Sequence, residues 1–270
     1  MSRVRLALKQ APALRVDLRG VTPAALSGLS VAEIERLTIT HGTQTLALAE
    51  FFTVTRADAP DEIVFAGDLS RFDRIGWQLA GGRIVVEGSA GDYVGACMSG
   101  GEVHVQGSAG LLAACEMAGG TLTIDRDVGD HAASSLPGSM DGMRGGTLVV
   151  RGNAGERFAD RMRRGTALVF GDAGDFLASR LVAGTIAIGG RAGAHVGYGM
   201  RRGSVVFAGS APSVATSFVP ALVEPVVAWQ LLARDLARHG GPFAGLAARR
   251  IGRHLGDLSA DGKGELIVAV

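Results

Sequence analysis

Seven glycines recur at an almost constant spacing through the middle of the chain. In chain order they are Gly82, Gly101, Gly120, Gly146, Gly165, Gly184 and Gly203. Successive members lie 19, 19, 26, 19, 19 and 19 residues apart, so the one longer step is the common period plus seven inserted residues. A fixed period of this length is typical of stacked repeats, because a single unit cannot bury its apolar side without its neighbours.

Each repeat contains one predicted strand between two glycine corners. Examples are GGRIVVEGSAG (81–91), GGEVHVQGSAG (100–110) and GGTLVVRGNAG (145–155). In each, apolar residues recur at every second position after the glycine pair, which is the period of a strand. Glycines every few residues exclude helical repeats. An apolar residue precedes each anchoring glycine by three positions. No column of His or Cys accompanies it through the repeats, so we interpret this column as core rather than as a metal or partner surface. The column consists of Leu79, Met98, Met117, Met143, Met162, Leu181 and Met200.

These features predict an all-β fold, a parallel β-helix (solenoid) of about seven 19-residue coils. The left-handed hexapeptide helix is excluded because it requires a period divisible by six, and the period here is 19 residues. We place the β-helix at residues 62–214, after an N-terminal leader or cap of mixed structure at 1–61 and before a C-terminal helical segment with a final strand at 215–270. The flanking segments are expected to cover the unpaired strands at the two ends of the solenoid.

The flanking segments contain their own structural signals. In the leader, the segment SVAEIERL (30–37) predicts a helix. In the C-terminal segment, apolar residues at helical spacing and a Gly-Gly stop predict a helix over 223–241, followed by a shorter helix over 243–258 and a strand at 265–270. None of these elements carries a catalytic signal.

The composition narrows the class of partner. The chain has 270 residues, with 27 Lys and Arg against 26 Asp and Glu, so its formal net charge is +1. A chain so nearly neutral has no overall attraction for nucleic acid or an anionic membrane, and we expect neither as a partner. Cys97 and Cys115 are the only cysteines and form no CxxC motif, which argues against a disulfide framework or a zinc site. Without a signal core or an apolar span, the sequence predicts a cytoplasmic protein.

One outward face of the later repeats is apolar. If the core residues of each strand point inward, the residues between them point outward. Among these, Val149, Leu168, Phe170 and Val206 form a continuous apolar face, which we expect to be covered. Two covers remain open from the sequence: the chain's own C-terminal segment or a partner protein.

Five arginines form a second notable pattern. Arg144, Arg163, Arg164, Arg201 and Arg202 lie in the two columns between the apolar residue and the strand glycine. Stacked like charges ~4.8 Å apart repel unless an anion or an acidic partner is nearby. The alternative is that the long side chains extend separately into water. We regard these residues as candidate contacts for a partner or an anionic tail.

No pattern of catalytic residues is present. Acidic residues follow the second corner at most once per repeat and are interrupted by Leu111 and Ala194, and the six histidines fall in different columns. Ser134, Ser135 and Ser139 lie in the insertion without a GxSxG elbow. The glycine corners contain no GxxxxGK[ST] phosphate-binding loop. We therefore predict no catalytic, cofactor-binding or metal-binding residue. The acidic residues, which we interpret as a solvated ridge, are Asp92, Asp130, Glu156 and Asp175.

Residues 62–210 resemble a known family. The run RIGWQLAGGRIVVEGSAGDYVGACMSGGEVHVQGSAG, followed by MAGGTLTI, MRGGTLVVRGNAG and MRRGTALVFGDAGDFLA, is similar to the C subunit of formylmethanofuran dehydrogenase and to that of the bacterial formyltransferase/hydrolase complex. The same repeats resemble the GxGxG C-terminal domain of the glutamate synthase large subunit. The likeness includes the 19-residue period, the Met column and the insertion. Arg126 and Pro212 depart from it, each replacing a corner glycine.

The resemblance implies a right-handed β-helix that serves as a non-catalytic scaffold subunit, with no cofactor of its own. Its expected partners are metal-dependent hydrolase-like, formyltransferase and dehydrogenase-like subunits. Those subunits would hold a methanofuran-type carrier, tetrahydromethanopterin and metal ions. The complex would take formyl from formyl-tetrahydromethanopterin to formate in formaldehyde oxidation, and its carrier has a polyglutamate tail. Our hypothesis is that the arginine columns contact either an acidic partner surface or that tail.

Several alternatives remain open at this point. The chain could be the C subunit of a redox-active formylmethanofuran dehydrogenase, although its Ala-, Arg- and Gly-rich composition favours the bacterial complex. It could be a glutamate synthase GxGxG module, although the long leader argues against this. An independent β-helix enzyme would need a pocket with perturbed acidic groups.

Overall fold

The described residues of the computed structural model are 3–58, 60–221 and 226–270. The helices are α1 (Pro23–Leu26), α2 (Val31–Glu35) and α3 (Val226–Ala237), with short 3-10 helices at Leu48–Glu50, Gly241–Phe243, Leu246–Ala248 and Leu258–Ala260. The strands are β1 (Arg3–Leu8), β2 (Val16–Asp17), β3 (Thr38–His41), β4 (Gln44–Ala47), β5 (Phe52–Ala57), β6 (Glu62–Ala66), β7 (Phe72–Asp73), β8 (Arg83–Val86), β9 (Ser99–Val105), β10 (Gly119–Ile124), β11 (Arg144–Val150), β12 (Arg164–Val169), β13 (Thr185–Ile188), β14 (Ser204–Phe207), β15 (Val219–Pro220), β16 (Ile251–Gly256) and β17 (Gly264–Ala269).

Strands β8 to β14 come from the seven repeats and pair in chain order, each parallel to the next. The register advances by one repeat at each step, so that Ile186 lies opposite Val205. The seven-residue insertion does not disturb this register, because Leu122 lies opposite Leu148 across the 26-residue step. A second row of single parallel bridges joins equivalent residues of successive repeats, from Leu69 and Ala90 to Ala173 and Ala192.

The predicted right-handed parallel β-helix of seven coils is wrong. Within the described residues, the repeat strands belong to one 13-stranded sheet of order β15-β16-β17-β14-β13-β12-β11-β10-β9-β8-β6-β1-β5, which is mixed. Strands β1 and β5 pair antiparallel at one end, and β15, β16 and β17 do so at the other. A second sheet has the order β4-β3-β2-β7. The period predicts how repeats pair with each other, but it carries no information on the non-repetitive strands that extend the sheet.

The core lies on the side of the sheet that the strand pattern predicts. The inward residues, such as Ile84, Val103 and Leu148, are buried in one hydrophobic cluster with the apolar column. Met98, Met117, Met143, Met162 and Met200 are fully buried there, which confirms their interpretation as core. Unbranched, flexible Met side chains fill the irregular space beneath the glycine corners.

The anchoring glycines are required by the backbone. All seven have a positive φ, from 76° at Gly101 to 113° at Gly184, where a side chain is strained. Space is also limiting, because a Cβ at Gly165 would lie 2.7 Å from the carbonyl oxygen of Gly146 in the preceding repeat. The glycine period therefore marks both a left-handed corner and close approach of adjacent repeats.

The leader confirms its predicted helix. Ser30 caps α2 by accepting a hydrogen bond from the Glu33 N–H, and the Glu33 carboxylate accepts one from the Ser30 N–H. This capping box satisfies two donors at the helix start. The buried face of α2 presents Ile34 to the core, and β1 joins the main sheet beside β6.

The C-terminal segment differs in part from its predicted elements. Helix α3 confirms the predicted helix over 226–237 and ends before residues 238–241 of that prediction, whereas residues 223–225 lie outside the described residues. The shorter helix predicted over 243–258 is wrong. Strand β16 occupies 251–256 and pairs antiparallel with β17, because the exposed edge of β17 offers backbone hydrogen bonds that a helix would leave unused.

Candidate functional site

The predicted apolar face lies against the chain's own C-terminal segment. Val149, Leu168 and Val206 are buried in a second hydrophobic cluster, and Phe170 packs against it. The Phe170 ring meets the Phe243 ring edge to face, with 5.2 Å between centroids. The cluster receives these residues from the C-terminal segment: Trp229, Ala233, Leu236, Phe243, Leu246, Ile251, Ile267 and Ala269.

Polar contacts hold this C-terminal segment in place. The Arg249 guanidinium donates to the Ala208 carbonyl at 2.5 Å and also to the Ala269 carbonyl. The Trp229 indole N–H donates to the Arg249 carbonyl at 3.3 Å, and the Gln230 amide donates to the Ala247 carbonyl at 2.9 Å. These bonds join α3 to the sheet and to the residues before β16, so the segment is a fixed cover.

The five arginines of the sequence pattern line one cleft, which we call the arginine cleft. It has a volume of about 620 Å³ and is lined by Arg144, Arg163, Arg164, Val182, Ala183, Arg201 and Arg202. All five arginine side chains are exposed. Backbone hydrogen bonds to the preceding repeat position them, because the Arg163 N–H donates to the Met143 carbonyl and the Arg201 N–H donates to the Leu181 carbonyl, each at 2.8 Å. A register irregularity places Arg144 opposite Arg164.

Charge in the arginine cleft is only partly compensated. The Arg163 guanidinium contacts the Asp141 carboxylate at 2.5 Å, and Arg144 contacts Glu116 at 3.4 Å. Arg164, Arg201 and Arg202 form no ion pair with any residue that the structure describes. The cleft therefore carries a local positive charge although the chain is nearly neutral.

A second cleft adjoins the first. It has a volume of about 410 Å³ and shares Arg163, Val182 and Arg201 with the arginine cleft. Its further lining includes Met140, from the insertion, and Arg180. The Arg180 guanidinium donates two hydrogen bonds, of 2.9 and 2.6 Å, to the buried Asp160 carboxylate. The charge of Arg180 is therefore neutralised, whereas Arg201, which lines both clefts, has no ion pair among the described residues.

The acidic residues after the second corner support the backbone. Asp92 accepts a hydrogen bond from the Leu111 N–H at 2.9 Å, and Asp130 and Asp175 accept equivalent bonds of 2.8 Å from the next repeat. In a neighbouring column, Asp172 accepts the Arg191 N–H at 2.7 Å, and this backbone hydrogen bond lowers the pKa of the Asp172 carboxyl. These carboxylates bridge successive repeats, a function that the sequence pattern did not reveal.

The serines of the insertion and the buried cysteine lie outside the arginine cleft. Ser134 and Ser135 line a cleft of about 350 Å³ with His131, but no described hydrogen bond joins the His131 ring to a serine or a carboxylate. Burial raises the pKa of the Cys115 thiol, which keeps it protonated and unreactive. Among the described residues, no cluster of His, Cys, Asp or Glu could hold a metal ion, and no helix has the length and apolarity to cross a membrane.

Sequence reasoning missed the residues that shape the arginine cleft. Asp141 and Glu116 neutralise two of the five arginines. Val182 and Ala183 form the uncharged part of the lining. The repeat alignment contained a signal for this part, because Val182 and Ala183 occupy the columns in which the neighbouring repeats carry arginine pairs.

Comparisons with known proteins agree on one family. A family model described as the GXGXG motif matches residues 83–229. The C subunit of the formyltransferase/hydrolase complex Fhc of Methylorubrum extorquens is 44% identical over 77 residues, which are 28% of this chain and 29% of that protein. The C subunit of tungsten-containing formylmethanofuran dehydrogenase 2 of Methanothermobacter wolfeii is 34% identical over 98 residues, 35% of this chain and 36% of that protein. These aligned segments span about a third of each curated relative.

The structural likeness covers nearly the whole chain. It is to a chain in the X-ray crystal structure of the formyltransferase/hydrolase complex (FhcABCD) from Methylorubrum extorquens in complex with methylofuran. The TM-score is 0.91 with 41% sequence identity, and the match covers 98% of this chain and 99% of that chain. The chain thus belongs to the GXGXG family and is homologous to the C subunits of the formyltransferase/hydrolase complex and of formylmethanofuran dehydrogenase.

Proposed function

We propose that this chain is a non-catalytic scaffold subunit of a formyltransferase/hydrolase complex. The observation that carries the proposal is the match over 98% of the chain to a chain of the FhcABCD crystal structure. That match extends through the leader and the C-terminal segment as well as the repeats. A module that shared only the repeats with this family would not align over both flanks.

The complex proposed for this chain moves a formyl group from formyl-tetrahydromethanopterin to a methanofuran-type carrier and then hydrolyses it to formate. Water supplies the oxygen of the formate, and the carrier is released for the next transfer. We assign the two chemical steps to formyltransferase and metal-dependent hydrolase-like subunits, beside a dehydrogenase-like subunit. The carrier, tetrahydromethanopterin and metal ions belong to those partners, and the assembly belongs in the cytoplasm.

The chain's own residues support a structural role within such an assembly. The acidic side chains of the repeats, including Asp92, Asp130 and Asp175, accept backbone N–H groups of the next repeat. The continuous ladder from β6 to β14 joins the leader to the C-terminal segment. A surface of this kind holds partners at constant separation, because neighbouring strands are linked along their length by backbone hydrogen bonds.

A second candidate function is supported by the similarity to the tungsten-containing enzyme. In that case the chain would be the C subunit of a redox-active formylmethanofuran dehydrogenase. The two candidates differ in whether the dehydrogenase-like partner exchanges electrons during formyl oxidation or reduction.

The test is native purification of the tagged chain from its host, followed by mass spectrometry and two assays on the eluate. The proposal expects three larger subunits of the stated classes and formate release without reduction of an added redox dye. Dye reduction coupled to formylmethanofuran would support the dehydrogenase instead. A chain that purifies alone from cells expressing the partners would overturn both.

A further inference from the structure

We infer that the last repeat ends in a docking edge, formed by Ala192 and His195, that takes an extended segment of a partner protein. The segment accepts hydrogen bonds from the backbone of this edge and places a planar side chain on the His195 ring. The inference rests on the proposed function, because the edge needs a partner chain, and it adds the surface and the chemistry of one contact.

The docking edge lies where the row of single parallel bridges stops. Within the described residues, Ala192 is the last member of that row. In the preceding repeat, the Ala173 and Phe176 N–H groups donate to carbonyls of the next repeat, each at 2.8 Å. The equivalent N–H groups of the last repeat, on Ala192 and His195, have no acceptor in the part of the chain that the structure describes. Because backbone N–H groups are strong donors, the edge offers two of them at the spacing that the repeats use.

The chain's own C-terminal segment covers only other parts of the last repeat. Strand β17 pairs parallel with β14. The Asp257 carboxylate accepts a hydrogen bond from the Gly199 N–H at 2.9 Å. Gly199 is the last-repeat equivalent of Arg180, whose N–H donates to the Tyr198 carbonyl at 2.7 Å. One of three equivalent donors is thus capped within the chain, whereas the two of the docking edge are left for another chain.

A stack of planar side chains ends at the docking edge. The Arg157 guanidinium lies 4.5 Å from the centroid of the Phe176 ring, and the centroids of the Phe176 and His195 rings lie 4.7 Å apart with 23° between their planes. These three residues come from successive repeats. His195 is exposed, and 59% of the neighbouring Tyr198 is exposed. A planar side chain of another protein can extend this stack by one member, and aromatic side chains are enriched in interfaces.

Two ladders of side-chain acceptors also end here. Asp172 accepts the Arg191 N–H at 2.7 Å, and Asp175 accepts the Ala194 N–H at 2.8 Å. Arg191 and Ala194 have no side-chain oxygen, so the last repeat offers no equivalent acceptor. The edge therefore presents donors, and its occupant supplies acceptors. Two backbone carbonyls three residues apart meet this need, as in the addition of an extended peptide to a sheet edge.

The opposite end of the molecule excludes head-to-tail pairing of two copies. At that end the row begins at Leu69, just before β7, and strand β2 of the leader pairs parallel with β7. The carbonyls of Arg71 and Asp73 accept hydrogen bonds of 2.9 and 3.0 Å from leader N–H groups. A second copy therefore has no open carbonyls at this end to offer, and the docking edge takes a segment of a different protein.

The first test is amide hydrogen exchange, resolved to single residues, on the full-length chain alone and in the complex purified from its host. The Ala173 and Phe176 N–H groups, which are bonded within the chain, are the matched controls and should exchange slowly in both samples. We expect the Ala192 and His195 N–H groups to exchange quickly in the isolated chain and at least about tenfold more slowly in the complex, where the partner segment accepts them.

The second test addresses the ring contact. His195→Gly removes the ring and keeps the N–H, and glycine suits the φ of 60° at this position. His131→Gly is the matched control, because His131 has the same φ in the same column three repeats earlier. Each variant is co-expressed with the parent chain, and mass spectrometry measures their ratio in the complex relative to the cell extract. We expect His195→Gly to be depleted about five- to tenfold and His131→Gly to equal the parent.

The outcomes separate this inference from the proposed function. Partners that elute with the chain while the Ala192 and His195 N–H groups exchange as in the isolated chain would overturn the inference alone. Slow exchange of both groups in the isolated chain would also overturn it, because the chain itself or a second copy then covers the edge. Equal incorporation of His195→Gly and the parent would overturn the ring contact. A chain that elutes without partners would overturn the proposed function and this inference with it.

Discussion

The apolar face of β11 to β14 is covered by the chain's own C-terminal segment, whereas the arginine cleft of the same repeats keeps three charges without an internal partner among the described residues. The two surfaces arise from one repeat pattern, since each extends by stacking equivalent residues. Apolar surface left in water costs about 25 cal/mol per Å², so folding covers it. Exposed guanidinium groups cost little in water. The difference shows that the covered face contributes to stability, while the open cleft is available for binding.

The largest expected effect is on the covered face. Phe243→Ala removes a fully buried ring that packs edge to face on Phe170. We expect the free energy of unfolding to fall by about 3–5 kcal/mol, as for other buried aromatic truncations. Urea denaturation measures this, with Val227→Ala on the exposed side of α3 as the matched control. Equal stability of the two variants would contradict the assignment of this segment as a stabilising cover.

The second-largest effect on stability is expected at Gly165, an anchoring glycine of the repeats. Gly165→Ala places a Cβ on a residue with a φ of 95°, 2.7 Å from the Gly146 carbonyl oxygen. We expect a loss of about 1–3 kcal/mol in the free energy of unfolding, because the left-handed backbone and the contact both oppose a side chain. Gly252→Ala, where a Cβ would meet nothing within 4 Å, is the control and should be near neutral. A neutral Gly165→Ala would show that the repeats can separate freely.

A pH-dependent contact attaches the C-terminal segment to the last repeat. Burial opposes ionisation of the Asp257 carboxyl, but hydrogen bonds from Ser259 Oγ and the Gly199 N–H outweigh it and lower its pKa. A lowered folded-state pKa stabilises the protein above the unfolded pKa of about 4, and this contribution is lost as the pH falls through the folded value. Urea midpoints between pH 7 and pH 3 should fall more steeply for the parent chain than for Asp257→Asn. Parallel curves would exclude this contact as a source of acid sensitivity.

The smallest expected effect is on the arginine cleft. Replacing Arg164, Arg201 and Arg202 together with Gln should change the free energy of unfolding by less than about 0.5 kcal/mol per residue, since exposed charges contribute little. At low salt the variant should be slightly more stable, because mutual repulsion is removed. Thermal unfolding in 10-fold different salt concentrations tests this. A large destabilisation would break the comparison, because it would make the cleft a structural element like the covered face.

The repeat pattern predicted the local structure of the repeats well. The buried apolar column, the inward strand residues and the positive φ of the anchoring glycines all follow from the 19-residue period. The sheet that these strands join was not predictable, because β16 and β17 pair through backbone groups and carry no repeat signature. Further left-handed corners hold ordinary residues, such as Arg157, Ala159 and Arg161, which no local propensity marks.

The arginines of the candidate site were predictable from the sequence, whereas their carboxylate partners were not. The five arginines occupy the same two positions of the repeat, which predicted that they lie near each other, and they line one cleft. The carboxylate of Asp141, which neutralises Arg163, lies in or beside the insertion, where the period gives no position. The role of Asp92 was missed because a solvated ridge and a ladder of hydrogen bonds to the next repeat produce the same acidic column.

The most direct test of the proposed scaffold function is a reconstitution of formate release from formyl-tetrahydromethanopterin and the carrier. Three preparations are compared at equal concentration: the partner subunits alone, this chain alone, and the mixture. The account predicts activity in the mixture, none from this chain alone, and a large loss of overall turnover when the chain is omitted. Formate release by the isolated chain, or undiminished turnover and assembly of the partners without it, would contradict the account.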